Sequence, residues 1–237
     1  MTTMMELESQ VRAAIARSRA DYTEVRLERE RRTQVLFQRD RLENIEASTE
    51  IGGLIRCLVD GGWGIAVFNS LEELEGKVEE AYRIAKAVSA KIGERSSLAP
   101  LEPIEDEIRV RLKRDFREIP LEKKKELIES YNKIMLSKPK VVSTTTRYTD
   151  SFKEWWFANS EGTFIFEERP DITLMLSATA REDDNIQQAF ESIGEAQGFE
   201  LVEGLEEKAK EVAERAMALL SAKPVKGGQY TVILDQD

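Results

Sequence analysis

The stretch Ile51-Gly-Gly-Leu-Ile-Arg-Cys-Leu-Val-Asp-Gly-Gly-Trp-Gly-Ile-Ala-Val-Phe-Asn-Ser70 decides how the rest of the chain is read. It is an apolar run, a Gly-Gly-Trp-Gly reversal, a second apolar run and a polar stop. Two short buried strands joined by a tight turn satisfy that order. Gly61, Gly62, Trp63 and Gly64 therefore stand as candidate residues, either of a structural turn or of a cavity wall. A phosphate cradle fits less well. The spacing lacks the Lys-Ser/Thr pair of a phosphate loop, and a strand rather than a helix follows.

Working outward, residues 22–29 alternate, with Thr23, Val25 and Leu27 on one face and Glu24, Arg26 and Glu28 on the other. That is the pattern of a half-exposed antiparallel strand. Residues 33–38 form a second strand with Thr33, Val35 and Phe37 inward, Asp40-Arg41 is a reversal, and residues 42–48 are a third strand. The opening hairpin supplies the fourth and fifth. A helix over residues 5–20 precedes them, with Leu7, Val11, Ala14 and Ile15 at helical spacing. Ser70-Leu-Glu-Glu73 is a capping box that starts a helix running to about residue 92, with Gly93 as its terminator.

Then the order begins again. Residues 120–136 read as a helix and 140–150 as a Thr-rich strand, followed by an aromatic strand over 152–158. Asn159-Ser-Glu-Gly162 is a turn, so Asn159, Ser160 and Gly162 join the candidate turn or cavity-wall residues. Strands over 163–168 and 172–180 and a helix over 205–220 follow. Tyr22 answers Val141, Asp40 answers Ser160 and Gly52 answers Asp171 at a near-constant offset of about 119 residues, as a duplicated unit requires. Residues 181–200, with Asp183, Asp184, Gly194 and Gly198, read as a mobile insertion of the second copy. The opening stretch then becomes the central hairpin of the first copy. The fold class is α+β, two related units of mainly antiparallel sheet packed by helices. The divisions are 1–95 for the first unit, 96–118 for a linker, 119–222 for the second unit, and 223–237 for a linker and strand. That last strand, residues 229–234, reads as the first of a further domain that is absent.

Composition limits the chemistry. The 237 residues carry a net charge of −10, which disfavours duplex DNA or an anionic membrane as main partner. Arg26, Arg29, Arg31, Arg32, Arg39 and Arg41 crowd one region, but Glu24, Glu28, Glu30 and Asp40 are interleaved, giving a solvated sheet surface. Trp155, Trp156 and Phe157 read as a core or interface strand rather than a base-stacking platform. The acidic groups Glu167, Glu168, Asp171 and Glu182, Asp183, Asp184 read as solvated rather than metal-binding. The single cysteine, Cys57, sits in an apolar run as a small core residue. No signal peptide or membrane-length apolar run is visible, so a cytoplasmic location is expected. There is no histidine. Ser-His and Cys-His nucleophile pairs, histidine zinc ligands and imidazole acid–base chemistry are thereby removed together. Carboxylates, Lys, Tyr or a hard-metal oxygen site are what remain.

Four motifs in order carry a resemblance. They are Ala20-Asp-Tyr-Thr-Glu-Val-Arg-Leu27, then Gly52 through Asp60-Gly-Gly-Trp-Gly-Ile-Ala66 to Asn69, then Asn159-Ser-Glu-Gly162, and finally Tyr230-Thr-Val-Ile-Leu-Asp235. Together they resemble the amino-terminal half of the TldD/PmbA family, zinc metalloproteases also described as modulators of DNA gyrase. In that family the strand resembling residues 230–235 leads into a helix with a His-Glu-x-x-x-His zinc motif. Its Leu-Asp ending is similar to that of the catalytic TldD branch.

The resemblance implies a parent enzyme that hydrolyses unstructured peptides with zinc. It implies assembly as a homodimer, or as a heterodimer with a PmbA/TldE-like sibling subunit, around an enclosed cavity. This chain ends before the zinc helix, so no catalytic residue, metal ligand or cofactor is carried onto it. Its expected part is subunit assembly and the cavity wall. The alternative reading is a stand-alone assembly module without peptidase activity.

Overall fold

A strand tolerates consecutive charges where its sheet has a solvent face, and residues 22–38 contain no residue that forces a reversal. In the computed structural model, which describes residues 4–234, that run is one strand, β1 (Tyr22–Gln38). The expected break at Glu30-Arg31-Arg32 is absent. The chain turns at Arg39-Asp40, one residue earlier than expected, with Arg39 in the left-handed region at φ 54°. β2 (Arg41–Val59) then merges the expected third strand with the first arm of the opening hairpin. Asp60 and Gly61, at φ 46° and 78°, make a two-residue reversal into β3 (Gly62–Phe68). Two positive φ values are what a primed hairpin turn needs, and glycine supplies one without strain.

The second half repeats this plan. The first half is α1 (Met4–Ala16), β1, β2, β3 and α2 (Leu74–Ser89). A connection containing β4 (Glu105–Ile108) leads to α3 (Leu121–Leu136), β5 (Val141–Asn159), β6 (Phe164–Glu182), β7 (Asn185–Glu195) and α4 (Glu206–Leu219). Residues 181–200 are thus no insertion. They hold β7, the counterpart of β3, and the start of a 3-10 turn, Phe199–Val202, whose Phe199 and Val202 are buried. β7 escaped notice because an outer strand needs few apolar residues. The strand starts Tyr22 and Val141 keep the expected spacing. Arg41 and Phe164 stand four residues further apart, because both β5 and the turn after it are longer.

Among the described residues the sheet has seven strands, in the order β3-β2-β1-β5-β6-β4, with β7 also on β6. Every pairing is antiparallel except β4 with β6. The α+β class holds, and the two halves meet in one sheet through β1 and β5, where Arg32 faces Ser151. The opening hairpin lies at the sheet edge rather than its centre, because each half adds its later strands outward. Residues 229–234 are not a strand. Val232, Ile233 and Leu234 are exposed, and no neighbouring strand among the described residues supplies a ladder. Asp235 lies outside the described residues.

Strand alternation also fixes where the helices sit. The core residues of β1 are Val25, Leu27, Val35 and Phe37; those of β5 are Tyr148, Phe152, Trp156 and Ala158. Within each strand they share one parity, so both hydrophobic cores lie on one face of the sheet. α1 and α2 cover the β1–β3 end, and α3 and α4 the β5–β7 end. Among the described residues the other face carries no helix.

Gly62 and Gly64 point to the helical face, where α2 leaves no room. A Cβ on Gly62 would meet the Ser89 nitrogen at 2.4 Å, and one on Gly64 would meet the Ala81 oxygen at 2.1 Å. Close approach lets Leu74, Val78, Ala81 and Ala85 bury fully. Each large side chain so buried contributes roughly 1.5–3 kcal/mol.

α3 is tied down by buried polar groups as well. Lys124 Nζ lies 2.5 Å from Asp150 Oδ2, which also accepts from the Tyr148 hydroxyl at 2.5 Å. Burial pushes the Asp150 carboxyl upward, against the pull of the Lys124 ammonium, and burial beside Asp150 pushes the Tyr148 phenol upward. Asn132 Oδ1 accepts from the Thr144 and Thr146 hydroxyls.

Candidate functional site

The antiparallel order brings the start of β1, the end of β2, the start of β3 and the end of β5 to one end of the sheet. Both turns singled out in the sequence are therefore neighbours there. Asp60 N donates to Asp21 Oδ2 at 2.7 Å, and the Gly61 oxygen accepts from Ser96 N at 3.0 Å. Asn159 Oδ1 accepts from the backbone of Glu161 and Thr163, at 3.1 and 2.9 Å, an Asx turn closed by Gly162 at φ 100°. Ser160 Oγ accepts from Thr23 N at 3.0 Å, stitching this turn to β1. Gly61, Gly62, Gly64, Ser160 and Gly162 thus shape the backbone. Trp63 and Asn159 also present side chains.

Those side chains reach the helix-free face. Trp63 meets Tyr22 edge to face, with ring centroids 6.1 Å apart, and the Arg56 guanidinium lies 4.2 Å above the indole. Between them Glu24 is buried, its side chain only 6% exposed although the strand pattern points it outward. It accepts from Tyr22 OH at 2.9 Å, Arg26 Nε at 3.1 Å and Arg56 Nη1 at 3.2 Å. Asn159 Nδ2 reaches Tyr22 OH at 3.5 Å. Burial, with the Glu24 carboxylate adding to it, pushes the Tyr22 phenol up to about 12, so it stays a hydrogen-bond donor at neutral pH.

The strip continues across the sheet. Arg26 lies 5.7 Å from the Phe157 ring, Phe157 stacks on Trp155 at 6.1 Å and 16°, and Arg169 lies 5.1 Å from the Trp155 ring. Cations and aromatic rings are interspersed from β3 to β6. No activated nucleophile occurs in the strip. Its rings can offer apolar contact and its guanidinium groups can take acidic or carbonyl groups. Trp155 and Phe157 face this surface while Trp156 is core, so the aromatic run divides between the two faces.

Sequence reading missed the Tyr22–Glu24–Arg26–Arg56 cluster. The signal was present, three long polar side chains at alternate positions opposite an outward arginine, but burial of Glu24 depends on which strands flank it. The residues here do not fit a zinc ion. Cys57 is buried under α2, its thiol pushed upward by burial, and its Sγ lies 3.5 Å from Thr23 Oγ1. Among the described residues no three His, Cys, Asp or Glu side chains are grouped to hold a metal.

Comparison with known proteins follows the same division. Residues 23–85 match the model of PmbA/TldA metallopeptidase domain 1, and residues 114–220 match the PmbA/TldA metallopeptidase central domain. The chain belongs to the PmbA/TldD family. Metalloprotease slr0863 of Synechocystis is 32% identical over 220 residues, covering 92% of this chain and 47% of that protein. Metalloprotease MJ0996 of Methanocaldococcus jannaschii is 30% identical over 220 residues, covering 92% and 48%. The chain therefore spans about half the length of the curated relatives it matches. Among solved structures, TldE from Thermococcus kodakarensis has a TM-score of 0.68 at 17% identity, over 89% of this chain and 47% of that one. A Thermotoga maritima protein described as a modulator of a DNA gyrase has a TM-score of 0.74 at 18% identity, over 95% and 50%. At such identities the likeness shows the PmbA/TldD fold. No helix among the described residues is long and apolar enough to cross a membrane.

Proposed function

We propose that this chain is the non-catalytic amino-terminal region of a TldD-like zinc-dependent peptidase that cleaves unstructured peptides in the cytoplasm. The observation that carries the reading is the placement of the family match. The first and central metallopeptidase domains account for both halves of the sheet, and the relatives named metalloproteases are about twice as long. Zinc, the general base and the hydrolytic step belong to the remainder of the parent. The domains described here supply the subunit body, one wall of the substrate cavity, and a surface for a second subunit, either another copy or a PmbA/TldE-like sibling. The helix-free face is the wall. Its rings and guanidinium groups are suited to an extended, unfolded chain, which offers exposed carbonyl and side-chain groups that a folded protein hides.

The experiment is a paired measurement of zinc content and peptide cleavage. This chain alone is expected to hold no stoichiometric zinc and to cleave nothing. The product of the reading frame continued past the Asp237 codon is expected to do both. Stoichiometric zinc or cleavage by this chain alone would overturn the assignment, and so would a stop codon directly after Asp237.

A further inference from the structure

On the helical face, away from the aromatic strip, a cavity of about 280 Å³ opens between β1, β2 and the start of α3. Arg31, Thr33, Thr49, Arg117, Lys124 and Asp150 are among the residues that line it. Four cations line it, Arg31, Arg32, Arg117 and Lys124, and two of them are matched. Lys124 is held by Asp150, and Arg117 grips Asp115 through Nε at 2.9 Å and Nη2 at 2.5 Å. Arg31 is not matched. Its Nε is buried without an acceptor, and among the described residues its side chain makes no ion pair. A buried donor left unsatisfied is costly, and folded proteins leave very few such groups.

The surroundings of Arg31 are arranged for a negatively charged guest. It stands between Thr49 of β2 and Phe152 of β5 in the ladder, and Arg117 lies over the Phe152 ring at 3.6 Å. Arg31 and Arg117 thus both line the cavity, with Phe152 beside Arg31 in the ladder and beneath Arg117. α3 begins beside them at Pro120 with no side-chain cap, and Leu121 of its first turn lines the cavity, so that turn's uncapped amides add positive partial charge. Asp150, the carboxylate in the wall, is already engaged by Lys124 and Tyr148. The local charge is therefore in cationic excess within a chain of net charge −10.

We propose that this cavity is an oxyanion site, with the Arg31 guanidinium as principal ligand, for a carboxylate or a phosphate group. Both match the planar fork of arginine in a bidentate way, whereas a lysine ammonium meets them only as a point charge. Neither the aromatic strip nor the peptidase reading is needed for this site.

Thermal unfolding of the full chain tests it, in sodium phosphate and in sodium acetate, each against sodium chloride of equal ionic strength. A saturable rise in Tm with one of the two oxyanions over chloride is expected, and the arm that responds identifies the group. Arg31→Gln is expected to abolish the rise and to be no less stable than the parent in chloride. Arg41→Gln, an exposed charge on β2, is expected to keep it. Should Arg31→Gln fail to fold, Arg31→Lys serves in its place and is expected to bind about ten-fold more weakly. No rise over chloride in either oxyanion would overturn the proposal. An undiminished rise in the Arg31 variants would do the same.

Discussion

Replacing Gly64 by alanine tests the contact that seats α2 on the sheet. The added Cβ would stand 2.1 Å from the Ala81 carbonyl oxygen and 2.4 Å from the Ala85 nitrogen, both helix backbone. Ordinary contact begins at 3.4 Å, so α2 must withdraw by more than 1 Å. Overpacking of a core costs about 1–3 kcal/mol where side chains can yield. Backbone cannot rotate away, and retreat of the helix loosens Leu74, Val78, Ala81 and Ala85 together, which puts Gly64→Ala at about 3 kcal/mol or more. At roughly 2–4 °C per kcal/mol for a chain of this size, Tm should fall by about 6–12 °C. Gly76→Ala is the control. It lies in the same helix with nothing within 4 Å of the new methyl, and the glycine it replaces weakens a helix by roughly 0.5–1 kcal/mol. Urea and thermal unfolding followed by far-ultraviolet circular dichroism would separate the two. A loss for Gly64→Ala below about 1 kcal/mol would refute the view that helix backbone, and not a pliable side chain, fills the space above this glycine.

The buried ion pair offers a second test, since Lys124 and Asp150 are each only 4% exposed. Lys124→Met should lose about 3–5 kcal/mol by stranding a carboxylate, and adding Asp150→Asn should recover at least half, read from urea midpoints. The Tyr22 phenol gives a pH dependence. Its folded value lies at about 12, above the ordinary value near 10, so its contribution to stability is complete below pH ~10 and is lost as the pH rises through 12. The difference in ultraviolet titration between the parent and Tyr22→Phe should show one phenol ionising at about pH 12; a difference transition near pH 10 would contradict the burial of that hydroxyl by Glu24 and Trp63.

The helices and most strand faces were legible in the sequence because periodicity reports burial directly. Thr23, Val25, Leu27, Val35 and Phe37 all lie inward as their alternation requires. Strand ends were harder to read. Glu30-Arg31-Arg32 looks like a break, yet lies within a strand partnered on both sides, and pairing between distant residues leaves no local trace. β7 was hidden for the opposite reason: Gln187, Gln188 and Glu191 suit a strand at an edge and equally suit a loop. The glycines of the opening hairpin were noticed for their turn chemistry. Only Gly61 serves the turn, while Gly62 and Gly64 answer to a helix that follows in sequence. The candidate site shows the same limit, since Tyr22, Glu24, Arg26 and Arg56 become a cluster only when two strands lie side by side.

The pairing of Arg32 with Ser151 has a consequence for descent. These residues are each other's counterparts in the duplication, as far apart as the strand starts Tyr22 and Val141. A strand that pairs with its own copy about equivalent positions marks a two-fold axis. A half-length ancestor would have folded one helix-covered sheet with β1 bare along its length, an edge that invites pairing. Two such subunits, joined β1 to β1, would reproduce the middle of the present strand order. The seam down the centre of the sheet is what an isologous dimer interface becomes when its subunits are fused, and fusion releases the two copies from having to stay alike.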